Sequence, residues 1–148
     1  MLKNKIVTFI TCILIVSMVS SPILLSAASK SYSFSIYYRV NGKTTGNFHS
    51  LSTGGVDLVG KAYYTGNAKQ GSGDRGETVT YSLYRDKWGA DEYIGKVSHS
   101  LSDRNNDRNP KKINSTIGKA STKSSKYYLV ISKSNNGLHV RGSGELSQ

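Results

Sequence analysis

The chain has 148 residues, of which 20 are basic and 9 acidic, so its formal net charge is +11. This length predicts one domain of modest size, and a single cysteine excludes an intrachain disulfide and with it a disulfide-stapled scaffold. The strong positive charge favours polyanions as partners, although charge alone also serves solubility.

The first 28 residues have the layout of a secretory signal peptide. Lys3 and Lys5 precede an uncharged apolar run over residues 6–25, and small residues follow it up to Ala28. This pattern predicts cleavage after Ala28. The alternative is a retained transmembrane anchor, because about 20 apolar residues can span a bilayer. Pro22 interrupts the run, which favours removal.

Residues 29–148 are predicted to form a single domain. They lack cysteine, because Cys12 lies within the apolar run, and without Lys3 and Lys5 the remaining chain carries 18 basic and 9 acidic residues, a formal charge of +9. A disulfide-free secreted domain is typical of Gram-positive exported proteins. The sequence therefore predicts an extracellular location, including association with the cell wall.

Residues 31–42 predict the first strand, because polar and apolar side chains alternate strictly. Asn41-Gly42 then predicts a turn. The alternation places five side chains on the core face: Tyr32, Phe34, Ile36, Tyr38 and Val40. Ser31, Ser33, Ser35, Tyr37 and Arg39 fall on the opposite face.

Six further segments predict strands, and Gly-, Asn-, Asp-, Ser- or Lys-rich turns separate them. They cover residues 56–64, 77–85, 91–101, 111–118, 126–132 and 138–146. About seven short strands at this spacing predict an all-β domain, an antiparallel β-sandwich or a jelly roll.

The last two strands predict a β-hairpin around Asn136-Gly137. One face is predicted to be core and carries Tyr127, Leu129, Ile131, Leu138, Val140 and Leu146. The other face is predicted to be exposed and carries Tyr128, Val130, Ser132, Ser134, His139, Arg141, Ser143 and Glu145. The basic turn end of that face is expected to receive an anionic group.

The loop over residues 103–109 has side-chain oxygens at every second position, which is the spacing of half a calcium loop. Arg108 stands where glycine is needed and Asn114 where a bidentate Glu is needed. The sequence favours a solvated turn in which Asp and Asn side chains hydrogen-bond their own backbone.

No catalytic or metal signature is present in the sequence, which contains no G-x-S-x-G and no H-E-x-x-H. We therefore expect no enzyme activity, no metal and no cofactor, and each histidine is expected on a strand surface. A small basic ribonuclease remains a third option. It would draw on Glu77, Glu92 or Glu145, on His99 or His139, and on Arg85 or Arg141.

The sequence favours non-catalytic binding to an anionic cell-wall polymer, a glycan or a membrane surface, by a monomer without specificity for nucleic acid. Trp88 lies in a turn and is expected either to cap one end of the sandwich, which is favoured, or to be an exposed anchor. The main alternative is a secreted antimicrobial or toxin-like protein. The predicted ligand-binding residues are Tyr37, Arg39, Trp88, Tyr128, His139 and Arg141.

Overall fold

The computed structural model describes residues 30–65, 76–102 and 104–148. The predicted signal peptide, with Cys12, and Asp103 lie outside the described residues. The elements are β1 (Lys30–Ile36), β2 (Arg39–Asn41), α1 (Gly42–Thr45), β3 (His49–Leu51), β4 (Gly54–Thr65), β5 (Glu77–Arg85), β6 (Glu92–Leu101), β7 (Lys111–Ala120), β8 (Ser124–Ser132) and β9 (His139–Ser147).

The strands form two antiparallel sheets, which confirms the predicted all-β class. The first sheet has the order β1-β9-β4-β7, and the second has the order β2-β8-β5-β6, with β3 also paired to β8. β1 is an edge strand of the first sheet and pairs with β9. At one end of this pair, Lys30 lies opposite Leu146. The described residues contain nine strands rather than about seven, because residues 31–42 divide into two and β3 is added.

Aromatic side chains join the two sheets in a shared core. Tyr32 and Phe34 of β1 contact Tyr81 of β5 edge to face, with ring centroids 6.2 and 5.8 Å apart. Such contacts add to the free energy of apolar burial. Because β1 and β5 belong to different sheets, these rings show that the two apolar faces pack against each other.

Two glycines of β9 make room for the rings of β1. Gly142 lies opposite Phe34 and Gly144 lies opposite Tyr32. A Cβ at Gly142 would overlap the Phe34 ring, and one at Gly144 would stand 2.8 Å from the Tyr32 hydroxyl oxygen. The glycines therefore let both rings lie close to the backbone of their own sheet.

The predicted hairpin is wrong. β8 belongs to the second sheet and β9 to the first, so residues 133–138 cross between the sheets instead of forming a two-stranded turn. The predicted inward side chains are nevertheless buried, with Leu138 partly so, because alternation sets the face of a strand whatever its partner.

A buried polar cluster fixes this crossing. Lys133 Nζ lies 3.7 Å from Glu77 Oε2 and donates hydrogen bonds to the Ser134 carbonyl oxygen and to Asn136 Oδ1, at 2.6 and 2.7 Å. The Ser134 hydroxyl donates to Glu77 at 2.8 Å, and the Asn136 amide donates to the same carboxylate. Gly137, with φ of 75°, then turns the chain towards β9.

The first predicted strand also crosses between the sheets. It leaves the first sheet after Ile36 and enters the second at Arg39, so Tyr37 and Tyr38 are both exposed, at 61% and 55%. The expectation that Tyr38 faces the core is therefore wrong. At the predicted turn, the Asn41 side chain accepts from the Lys43 amide and caps the one-turn helix α1.

No helix in the described ranges has both the length and the apolar character to cross a membrane.

Candidate functional site

The outer face of the first sheet gathers basic and aromatic side chains from three strands and the β1–β2 connection. We call this surface the basic face and define it by Tyr37, Lys61, Tyr63, Lys112, His139 and Arg141. Directly opposed residues of antiparallel strands point to the same side. The register places Arg141 opposite both Ser35 and Tyr63, and Lys61 opposite both Ser143 and Lys112.

His139 lies at one end of the basic face, and its ring is held on both edges and on one side. Nε2 lies 2.9 Å from the Ser35 hydroxyl, and Nδ1 hydrogen-bonds the Thr65 hydroxyl. Tyr37 stacks on the imidazole, with centroids 4.4 Å apart and planes 25° from parallel. Because a hydroxyl can donate or accept, Ser35 and Thr65 can each complement the ring nitrogen that they contact.

Arg141 extends the basic face from this ring pair. Its Nε donates a long hydrogen bond of 3.4 Å to the Ser35 hydroxyl, and its side chain is exposed. Within the described ranges it forms no ion pair. A guanidinium in this state offers a fork of donors to a carboxylate or a phosphate.

Lys61 and Lys112 form the other end of the basic face. They are directly opposed in β4 and β7, and both are exposed. Glu145 lies on the same face of the sheet, opposite Val59. Like charges that are directly opposed across two strands repel each other. The basic face extends along β9 from His139 to Ser143, which is the residue opposite Lys61. These two positions are four residues apart, about 13 Å.

Three of the six predicted ligand-binding residues come together here: Tyr37, His139 and Arg141. The other three lie elsewhere. Arg39 and Tyr128 belong to strands of the second sheet, and Trp88 lies in the β5–β6 connection. Arg39 is separated from Tyr37 because the chain changes sheets between these two positions.

The expectation that Tyr128 faces solvent is wrong, because only 4% of the residue is exposed. Its ring stacks on Tyr84 at 5.6 Å and meets Phe48 edge to face at 6.1 Å. Its hydroxyl donates to Asp91 at 2.8 Å. Burial, and then this hydrogen bond, raise the pKa of Tyr128 to about 12.

Trp88 is fully exposed, so the favoured expectation that it caps one end of the fold is wrong. It lies in the connection after β5, beside the exposed Lys87. The structure therefore agrees with the other interpretation of this side chain, an exposed indole.

Lys61, Tyr63 and Lys112 are members of the basic face that the sequence did not single out. Alternation in residues 56–64 already put Lys61 and Tyr63 on one side. Their proximity to Arg141 and Lys112 depends on β4 lying between β9 and β7. No local pattern in a sequence specifies that order of strands.

The remaining candidate groups are His49, His99 and the loop over residues 103–109. The described ranges hold no set of three or more His, Cys, Asp or Glu side chains placed for a metal ion. His49 is buried rather than on a surface. His99 contacts Tyr81, and burial, followed by the charge of Lys111, lowers the pKa of His99. In the 103–109 loop, Asn105 and Asn106 accept from backbone amides, as a self-bonded turn requires.

Comparison with known protein families, with curated proteins and with solved structures finds no match to this chain.

Proposed function

We propose that this protein is a secreted, monomeric β-sandwich of Gram-positive type that binds an anionic polymer of the cell envelope without catalysis. One observation carries the proposal: the basic face combines Arg141, Lys61 and Lys112 with the exposed Tyr37 ring over about 13 Å. Cleavage of residues 1–28 would release the folded domain.

The charges of the basic face support an anionic ligand. Lys61 and Lys112 repel each other across β4 and β7, and a phosphate or carboxylate between them would replace repulsion with attraction. Arg141 stands in the neighbouring row of the sheet, about 7 Å further along β9. This spacing suits the repeated charges of a polymer such as teichoic acid better than a single ion.

The tyrosine and histidine rings support a ligand with sugar units. Tyr37 is 61% exposed and is held in a fixed plane by the His139 ring beneath it. A pre-oriented aromatic ring binds the apolar side of a sugar with little loss of conformational entropy. Glycans with acidic substituents therefore fit this surface.

His139 supports the Tyr37 ring on the basic face. Ser35 and Thr65 engage both nitrogens of the imidazole, and the imidazole stacks on Tyr37.

Co-sedimentation with purified Gram-positive cell walls tests the proposal. The Lys61→Ala/Lys112→Ala double variant is expected to lose about tenfold or more in affinity, because charge-assisted contacts contribute about 1 kcal/mol or more each. Walls stripped of teichoic acid are expected to bind the unmodified protein as weakly as intact walls bind this variant.

The matched control is Lys96→Ala/Lys123→Ala. Both lysines are exposed, and neither lies on the basic face. The control has the same net charge as the test variant. Its affinity is expected to change by less than about twofold, since neither lysine belongs to the basic face and salt screens exposed charges. Equal losses in the two double variants would show that binding follows total charge and would refute a localised site.

The exposed Trp88 beside Lys87 favours a second candidate, an antimicrobial protein that acts on membranes. Indole rings partition to the lipid–water interface. Since the sequence has one tryptophan, its fluorescence reports this residue directly. A blue shift with anionic vesicles, together with growth inhibition that Trp88→Ala abolishes, would support this candidate; an unchanged spectrum would exclude it.

A further inference from the structure

The outer face of the second sheet carries four aromatic rings in a row. The register places Tyr84 of β5 opposite both Tyr93 of β6 and Tyr128 of β8. Leu83 belongs to the core, so Tyr84 and the residues opposite it point away from the core. Phe48, between α1 and β3, extends the row beyond Tyr128, and successive ring centroids lie 5.4, 5.6 and 6.1 Å apart. We call this surface the aromatic row and define it by Tyr93, Tyr84, Tyr128 and Phe48.

The two ends of the aromatic row are open to solvent. Tyr93 is 52% exposed and Phe48 is 38% exposed, whereas Tyr84 is half-buried and Tyr128 is buried. The Tyr128 ring therefore supports its neighbours and is not itself a contact surface. Each end ring meets its inner neighbour at a steep angle, 60° for Tyr93 and 82° for Phe48, which restrains its orientation. A ring that is already held loses little conformational entropy when a ligand packs on it.

Paired charges lie beside the aromatic row at Tyr128. The Tyr128 hydroxyl donates a hydrogen bond to Asp91 at 2.8 Å. Lys43 Nζ stands 2.8 Å from Asp91 Oδ1 and 2.9 Å from Asp86 Oδ1. All three charged side chains are partly exposed, so they offer hydrogen-bond acceptors and donors next to the rings. An ammonium between two carboxylates does not attract an anion, but it suits hydroxyl groups, which both donate and accept.

We propose that the aromatic row binds a neutral glycan chain. Tyr93 and Phe48 pack against the apolar sides of sugar rings, and Asp86 and Asp91 accept hydrogen bonds from sugar hydroxyls. The two exposed rings stand about 15 Å apart, three steps of about one strand spacing each, so the ligand has several linked sugar units. The site belongs to the second sheet and the basic face to the first, so the proposal does not rest on polymer binding at the basic face.

Chitotetraose and cellotetraose are suitable probes because neither carries a charge for the basic face to attract. In calorimetric titrations of the purified full chain, we expect saturable binding of at least one of them. Tyr93→Ala and Phe48→Ala are each expected to weaken this binding about tenfold, since each removes apolar area that the sugar covers. The corresponding monosaccharide is expected to bind at least about tenfold more weakly, because it reaches only one of the two exposed rings.

Tyr37→Ala is the matched control. Tyr37 is also an exposed tyrosine, but it lies on the basic face, so its removal is expected to change oligosaccharide affinity by less than about twofold. Tyr93→Phe keeps the ring and is expected to bind almost as well as the unmodified protein, which separates loss of stacking from loss of the hydroxyl. Equal losses in Tyr93→Ala and Tyr37→Ala, or no saturable binding of either tetrasaccharide, would overturn the proposal.

Salt dependence separates this site from the basic face. Affinity for a neutral oligosaccharide is expected to change by less than about twofold between about 0.05 M and 0.5 M NaCl. The Lys61→Ala/Lys112→Ala variant is expected to bind the oligosaccharide normally, so failure at the basic face leaves this result intact. If sedimentation instead shows a dimer that Tyr93→Ala dissociates, the aromatic row is an interface between two copies of the chain and the proposal is wrong.

Discussion

Glu77 illustrates how one side chain can determine where the chain crosses between sheets. It is 4% exposed and holds Ser134, Asn136 and Lys133 together. Removing one partner of a buried ion pair leaves the other charge uncompensated, at a cost of about 3–5 kcal/mol. We expect Glu77→Gln to lower the free energy of unfolding by about 3 kcal/mol, measured by urea denaturation.

Two further variants test whether the loss of stability in Glu77→Gln arises from the unpaired charge of Lys133. Adding Lys133→Met to Glu77→Gln removes the unpaired charge and is expected to restore about 1 kcal/mol or more. Asp107→Asn changes an exposed acid and is expected to have little effect. If the double variant is no more stable than Glu77→Gln alone, the loss does not arise from the buried charge of Lys133.

Asp91 gives the stability of the protein a specific dependence on pH. Hydrogen bonds from Lys43, at 2.8 Å, and from the Tyr128 hydroxyl hold the pKa of Asp91 below its ordinary value. The folded state therefore favours the ionised carboxylate more than the unfolded state does. This stabilisation is present above about pH 4, the ordinary pKa of Asp, and is lost as the pH falls through the lower folded pKa.

Asp91→Asn removes this titration. We expect the stability difference between the unmodified protein and Asp91→Asn to be largest above about pH 5 and to shrink towards about pH 2, in urea denaturation at a series of pH values. The corresponding difference for Asp107→Asn is expected to stay small throughout. If the stability difference for Asp91→Asn does not vary with pH, the ionised Asp91 carboxylate is not the source of this stabilisation.

At the scale of the elements, β1 is attached to its sheet by aromatic rings that lie over glycines. In Gly142→Ala, the new Cβ would overlap the Phe34 ring and approach the Lys61 carbonyl oxygen to 2.6 Å. Overpacking of this kind costs about 1–3 kcal/mol, and we expect a loss in that range, with faster amide hydrogen exchange in β1.

Gly55→Ala is the control for this prediction. Gly55 lies in β4 without a positive φ, and no atom lies within 4 Å of the position that a Cβ would occupy there. An alanine at this position restricts the unfolded chain without a clash, so we expect stability to be unchanged or slightly raised. Equal losses in the two variants would point to a general need for glycine in these strands.

The sequence specified individual strands well and their partners poorly. Alternation identified residues 56–64, 77–85 and 126–132 as strands. In residues 126–132 it did not separate a buried from an exposed side, because Tyr128 and Val130 are buried as well as Leu129 and Ile131. The hairpin prediction is wrong because the polar cluster around Glu77 and Lys133 joins residues more than 50 positions apart. The sequence named Tyr37, His139 and Arg141 as candidates, but their proximity to Lys61 and Lys112 depends on the sheet order.

At the scale of the whole molecule, charge is the property most open to test. Residues 29–148 carry a formal charge of +9, and the proposed polymer contacts are exposed to solvent. The Debye length falls from about 10 Å at 0.1 M salt to about 3 Å at 1 M. We expect wall binding to weaken by at least about tenfold between about 0.05 M and 0.5 M NaCl.

Thermal unfolding in the same salt series is the control. The core is apolar and most ion pairs are partly exposed, so the midpoint of unfolding is expected to change by only a few degrees. Binding that persists in high salt would assign the affinity to stacking on Tyr37 rather than to the lysines and Arg141.

The pairing of β1 with β9 also has a mechanical consequence. Lys30 and Leu146 lie opposite each other at one end of this antiparallel pair, and the register then runs from there to Ile36 and Val140. Tension applied between the Lys30 and Leu146 ends would load the inter-strand hydrogen bonds one at a time, as in opening a zipper. Such a geometry yields at low force, and β1 would be the first strand to leave the sheet.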